Sequence, residues 1–326
     1  MKIVVTGSSG FLGTALCKYL EVEGHELTRL NSRNCDLRKA ESLEKYSSEK
    51  YDLIYHLAAW TQAGDFCLKH AGEQWIINQQ INTNLLAWWA KKQPQAKLVF
   101  MGTSCVYASG GSLRESEYML GEPIDSLYTY AMTKRMLYQG ARALNQQFGL
   151  RYLCAVPSTL YGAGYHTDGR QMHFIFDLIR KIIRGKLYGD TVVLWGDGYQ
   201  KRELVFVEDF VRILWLLTQS FDNEIFNIGA GVEYSIRTFA ESICKIVGYP
   251  HANIQYDSSR YVGAKSKCLN IEKIKAVVPD YSMLPLTDGL QKTIQWFYET
   301  KAYERIAPPL QSLENEEQKT NEQDPP

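Results

Sequence analysis

Apolar residues in the first half of the chain come in short runs bounded by polar or glycine-rich stretches. Residues 2–6 (KIVVT), 25–30 (HELTRL), 52–58 (DLIYHLA), 96–102 (AKLVFMG) and 151–157 (RYLCAVP) have the length and composition of strands. Elsewhere the apolar period becomes helical. Leu12, Leu16, Tyr19 and Leu20 share one face of residues 11–23, and longer helical stretches cover 73–92 and 128–149. This alternation predicts an α/β fold, a doubly wound parallel sheet with helices on both faces and right-handed crossovers. Near residue 160 the pattern changes. Gly, Tyr and His cluster in YGAGYHTDGRQMH, an amphipathic helix follows in FIFDLIRKIIRG, and mixed segments continue to about residue 305. Residues 1–160 are therefore expected to form the sheet domain, with segments around 200–230 interleaved, and residues 161–305 a smaller mixed C-terminal lobe. The stretch 309–326 is acidic, polar and proline-ended, and is read as a disordered tail.

Composition narrows the function. The 326 residues carry 36 basic and 36 acidic side chains, so no global field favours nucleic acid or an anionic membrane. No apolar run approaches the ~20 residues of a bilayer span. The chain enters KIVVTG without the pattern of a signal peptide, which makes a cytoplasmic location the expectation. Seven scattered cysteines form no CxxC pair, so no metal site or disulfide framework is suggested.

The first strand runs into GSSGFLG, in which Gly7, Gly10 and Gly13 follow a G-x-x-G-x-x-G spacing. In a Rossmann-type sheet Gly7 makes the sharp exit from the strand. Gly10 lets a pyrophosphate approach the backbone, and Gly13 lets the helix pack close to the sheet. The helix start then offers N–H groups and the positive dipole end to phosphate. Where NAD binders often carry a carboxylate after the second strand, this chain has Asn31, Ser32 and Arg33, with Arg29 nearby. A guanidinium and a hydroxyl suit a 2′-phosphate, which favours NADP(H) over NAD(H); solvated loop arginines are the alternative. Asp36 and Leu37 are placed to meet the adenine.

Tyr130 and Lys134, in YAMTK, lie one helical turn apart. An ammonium beside a phenol favours the phenolate and is expected to lower its pKa, preparing Tyr130 for proton exchange with a sugar oxygen. A hydroxyl at the preceding strand end, Thr103 or Ser104, can bind the same oxygen.

The motifs TGSSGFLG, GTSCVY, YAMTK, PSTLYG, VLWGDGYQKRELVFVED and NIGAG occur in that order. With them the chain resembles the extended short-chain dehydrogenase/reductase family, and within it the nucleotide-sugar epimerase/dehydratase group. It looks most like the GDP-fucose synthases, NADPH-dependent 3,5-epimerase/4-reductases. The resemblance runs from residue 1 to about 300. It implies a catalytic Thr103, a general acid Tyr130 with its partner Lys134, an epimerisation base Cys105 and an epimerisation acid His173. It implies cofactor contacts from Ser9, Phe11, Leu12, Leu57, Ala58, Ala59 and Pro157 besides those above. It also implies substrate contacts from Ser104, Trp195 and Arg202, with Arg260 and Lys265 as phosphate contacts. His166, Asp168 and Arg170, in the glycine-rich loop near His173, read either as ligands of sugar hydroxyls or as plain loop polarity. The partner is a nucleotide-diphospho-sugar, and a homodimer through a four-helix interface is implied by the helix 128–149. Inversion at C3 or C5 beside a 4-keto group needs one group to take a proton and another to return it from the opposite face, which a thiolate and an imidazole can do. The loop AAWTQAGDFCLKHAGEQW lacks the GG stretch of those enzymes, and GAGYHTDGRQMH also differs, so the sugar and the base stay open. So do two other readings: a 4-epimerase with retained NAD(H), and a non-catalytic dinucleotide sensor. A 4,6-dehydratase is disfavoured because Ser104 and Cys105 stand where it needs a carboxylic acid.

Overall fold

The computed structural model describes residues 1–168, 170–259 and 265–304; the tail 309–326 and Arg260 lie outside these. The five apolar runs become neighbouring parallel strands: β1 (Lys2–Thr6), β2 (Glu26–Leu30), β3 (Leu53–His56), β4 (Lys97–Met101) and β5 (Tyr152–Pro157). Four short strands follow, β6 (Thr159–Tyr161), β7 (Val193–Trp195), β8 (Lys201–Arg202) and β9 (Leu204–Phe206). Then β10 (Glu224–Ile228) returns to the sheet beside β5. Two more short strands, β11 (Tyr234–Ser235) and β12 (Gln255–Asp257), pair with β8 and β7.

The sheet order is β2-β1-β3-β4-β5-β10. Winding reverses between β1 and β3, and a crevice opens there beyond the C-terminal strand ends. Register aligns those ends. Thr6 lies opposite Leu30 and His56, Met101 opposite Ala155, and Pro157 opposite Ile228. The loops after β1 to β5 therefore emerge along one edge of the sheet.

Helices cover both faces, which explains why β1, β3, β4 and β5 read as nearly unbroken apolar runs. The helices are α1 (Phe11–Val22), α2 (Phe66–Lys69), α3 (Ala71–Lys92), α4 (Tyr128–Phe148), α5 (Phe174–Tyr188), α6 (Val207–Ser220), α7 (Ile236–Val247), α8 (Glu272–Val277) and α9 (Leu286–Thr300). On one face Leu85, Trp88 and Trp89 of α3 and Leu137 and Ala141 of α4 pack on Ile54, Leu98 and Phe100. The paired tryptophans are thus core residues, with indole N–H groups satisfied by Ser47 Oγ and Ala96 O. On the other face Leu16 and Leu20 of α1 meet Phe210, Leu214 and Leu217 of α6. A third cluster joins α5, α7 and α9 through Ile179, Ile183, Phe239 and Phe297. Phe11, at the start of α1, lies edge-on to Tyr165 (5.3 Å) and Phe176 (5.7 Å), which ties the glycine loop to this cluster. No helix among the described residues is long and apolar enough to cross a membrane.

Candidate active site

The loop after β1 is shaped by its glycines. Gly7 has φ +67°, and a Cβ there would lie 2.8 Å from the Ala58 nitrogen, so the backbones of residues 7 and 57–58 touch. A Cβ on Gly13 would lie 2.1 Å from the Gly7 carbonyl oxygen, because α1 packs directly on its own entry loop. Gly10 caps α1 without a side chain, and its Cβ would meet only the Gly7 oxygen at 3.3 Å. Ser9 and Gly10 are exposed, whereas Ser8 is buried and bonded to Leu30 O. The cradle is open at the helix start. Leu57 and Ala58 touch Gly7; Ala59, Phe11 and Leu12 at the start of α1 and Pro157 at the end of β5 are half-buried like them.

Beyond β2, the Asn31 side chain accepts from Arg33 N–H and the Asn34 side chain accepts from Asn31 N–H, which closes a polar turn. Ser32 and Arg33 are exposed on it. Arg29 is not part of this surface; it pairs with Glu21 of α1. Asp36 is held by Arg38, two contacts at 2.9 Å that keep its carboxyl below the usual range. The Leu37 side chain is buried in the core, and its carbonyl accepts from Asn84. Any contact from Leu37 to a ligand is therefore limited to its backbone.

The end of β4 and the first turn of α4 bring together the second group of residues. Thr103 is buried and caps a short 3-10 turn, Ser104–Val106, by accepting the Cys105 N–H at 3.2 Å. Its hydroxyl faces the Tyr130 phenol and favours the phenolate, a minor effect there. Lys134 Nζ stands 5.9 Å from the centre of the Tyr130 ring. The expected lowering of Tyr130 by Lys134 is corrected here. Burial dominates, aided by the neighbouring Cys105 and Cys67 thiols, and pushes the phenol up from its ordinary value. Burial also pushes Lys134 down, to about 8. Behind them His56, at the end of β3, bonds through Nδ1 to Thr6 Oγ1 (2.8 Å) and through Nε2 to Asn82 Oδ1 (3.2 Å). Burial and the Lys134 charge hold it down to about 3.

His173 is the N-cap of α5, and its N–H donates to Tyr165 Oη at 3.3 Å. His173 is exposed. Loss of surrounding water and the Lys267 ammonium push it down to about 4. His166 lies against the Tyr165 ring at 4.1 Å, while Asp168 is paired to Arg170. Trp195 and Arg202 sit on β7 and β8; the Arg202 Nη1 donates to Lys201 O. Lys265 is exposed and its carbonyl accepts from Lys201 N–H.

Sequence reasoning missed three residues here. Lys267 Nζ lies 3.2 Å from Cys105 Sγ. Its signal was its spacing: two residues from Lys265, it shares that side of an extended chain. Cys67, in the loop that lacks GG, is bonded by Gln74 (3.6 Å) and lies near Cys105. Glu203 is buried beside Arg202 and accepts the N–H groups of Gly231 (2.7 Å) and Leu269 (2.9 Å). A buried carboxylate next to an expected substrate arginine has no sequence signature of its own.

Known proteins resemble this chain in sequence and fold. The chain is 27% identical to the GDP-L-colitose synthase of Yersinia pseudotuberculosis over 311 residues, 92% of this chain and 99% of that protein. It is 28% identical to the GDP-L-fucose synthase of Escherichia coli (strain K12), covering 92% of this chain and 97% of that one. In fold it matches a GDP-L-fucose synthetase from Naegleria fowleri with a TM-score of 0.84 at 23% identity, over 94% of this chain and 95% of that one. The same protein bound to NADP matches with a TM-score of 0.81 at 24% identity, over 94% and 96% of the two chains. A model of the NAD dependent epimerase/dehydratase family matches residues 3–229, which take in the glycine loop, the Tyr130–Lys134 pair and β10. With more than half of its length matched, the chain belongs to the NAD dependent epimerase/dehydratase family.

Proposed function

We propose that this protein is an NADP(H)-dependent epimerase/reductase of a nucleotide-diphospho-4-keto sugar, GDP-linked, inverting C3 and/or C5 and reducing C4. One observation carries the reading. A hydroxyl, a phenol, a buried ammonium and a thiol (Thr103, Tyr130, Lys134 and Cys105) gather between the end of β4 and the first turn of α4, and Lys267 links the thiol to the imidazole of His173 at the start of α5. The GDP-sugar names of the relatives support the nucleotide.

Bound in the cradle of Gly7, Gly10 and Gly13, NADPH supplies the hydride for C4. The surface of Ser32 and Arg33, with no carboxylate at the end of β2, favours the 2′-phosphate form. Tyr130, whose phenol is pushed up, is protonated at neutral pH and so holds a proton for the C4 oxygen. Thr103, beside it, orients that oxygen. Lys134, a turn away, offsets the charge left on the phenolate. At the neighbouring carbons Cys105 takes a proton from one face and His173 returns one from the other. His173 is neutral in the free protein, since it lies at about 4. It becomes an acid only as the substrate's diphosphate and enolate charge raise it. Ser104, Trp195, Arg202 and Lys265 form the substrate wall. The outer faces of α3 and α4, with Trp75, Ile76 and Tyr128 exposed, form the interface of a homodimer.

The test is NADPH oxidation with GDP-, UDP-, CDP- and dTDP-4-keto sugars. GDP sugars are expected to react, and Tyr130→Phe to slow the reaction by about 10²–10⁴-fold. A UDP, CDP or dTDP preference refutes the nucleotide assignment. A phenylalanine variant at wild-type rate refutes the role of Tyr130.

A further inference from the structure

We infer that Lys267 holds Cys105 as its thiolate, so that carbon-proton abstraction falls to the sulfur. This rests on the proton-transfer role proposed above for Cys105. The ammonium lies 3.2 Å from the sulfur. Neither residue sits there by chance of side-chain rotation alone. Cys105 is fixed from its backbone by Thr103 Oγ1. Lys267 belongs to an extended segment without regular structure, yet that segment is tied at three places. Lys265 O accepts from Lys201 N–H (2.8 Å). The Glu233 carboxylate accepts from Ser266 Oγ (2.8 and 2.9 Å) and from Lys267 N–H (3.0 Å). Glu203 accepts from Leu269 N–H (2.9 Å). Two carboxylates on different loops thus hold the stretch that delivers one ammonium to one thiol.

The other groups facing Cys105 do not compete as cations. Tyr130 on α4 and Cys67 on α2 are held in their neutral forms by burial, and His173 on α5 is kept neutral with Lys267 contributing. Glu233 faces the Lys267 backbone. A cation beside a thiol favours the thiolate, which is the nucleophilic and basic form. In the step itself the sulfur takes the proton from C3 or C5, the C–H electron pair passes into the enolate at the C4 oxygen, and Lys267 transfers no proton. No oxidant or reductant is consumed.

The test is alkylation of the full chain by iodoacetamide at neutral pH, followed for each cysteine peptide by mass spectrometry. Lys267→Met is expected to slow alkylation of Cys105 several-fold, and Lys267→Arg to restore it. A lysine that merely packs against the loop gives the opposite sign, since its removal exposes both Cys105 and Cys268. An unchanged or faster Cys105 rate in Lys267→Met overturns the inference. Solvent deuterium uptake into substrate by Cys105→Ser separates it from the underlying reading. Persistent uptake in that variant sinks the role of Cys105, whereas lost uptake beside an unaltered Lys267→Met alkylation rate sinks only the role of Lys267.

Discussion

Replacing Gly13 by alanine puts a methyl 2.1 Å from the Gly7 carbonyl oxygen and 2.8 Å from Ser8 Cα. Ordinary contact begins at 3.4 Å, so α1 and its entry loop must separate by about 1.3 Å. The neighbour is backbone and cannot rotate away. A shift of this size carries the N–H groups at the start of α1 out of hydrogen-bonding distance of a phosphate. Each bond to a charged group contributes roughly 1.5–3 kcal/mol, so losing two weakens NADPH binding by about 10²–10⁴-fold. Titration of NADPH fluorescence measures this, and thermal melting reports how much the fold itself loosens. Gly10→Ala is the companion variant. Its methyl meets only one oxygen, at 3.3 Å, so the fold is kept while the methyl stands where phosphate must approach. Gly13→Ala or Gly10→Ala proteins that fold and bind NADPH as tightly as wild type would refute the cradle.

Lys134 lies at about 8, below free lysine, because its burial disfavours the cation; it is charged only below that value, so kcat/KM for reduction is expected to fall as pH rises through about 8, and Lys134→Met to flatten that limb. His56 is held at about 3, so the unfolded chain binds its proton first as pH falls below about 6.5. Its contribution to stability is complete above that pH and declines toward 3 by at most about 1.4 kcal/mol per pH unit; urea unfolding at several pH values checks this, with His56→Asn showing a smaller slope. Glu203→Gln turns an acceptor of two buried N–H groups partly into a donor; a loss of about 2 kcal/mol in urea unfolding is expected, with a weaker apparent affinity for substrate as the segment carrying Lys267 loosens.

The sheet was legible because its strands are buried on both faces and so stand out as apolar runs. The five read from sequence differ from β1 to β5 by only a few end residues. Strands β6 to β12 other than β10 are two or three residues long, too short for any period to show. The residues gathered at the site were legible as motifs, since Gly13, Tyr130 and Lys134 depend on local spacing. Their electrostatics were not. Tyr130 and Lys134 have the expected helical separation, yet burial sets the direction of both titrations, and burial is a property of the whole fold. Arg29 read as a phosphate ligand because sequence does not show Glu21 across the β2–α1 contact. Lys267 meets Cys105 across 162 residues, a contact made by tertiary ties to Glu203 and Glu233.

The most direct measurement is the mass spectrum of the product formed from a GDP-4-keto-6-deoxy sugar with unlabelled NADPH in D2O. Solvent deuterium on a carbon next to C4, together with one NADPH oxidised per product, is the outcome required if one site moves both proton and hydride. NADPH oxidised without deuterium in the carbon skeleton, or deuterium gained without NADPH oxidation, contradicts it.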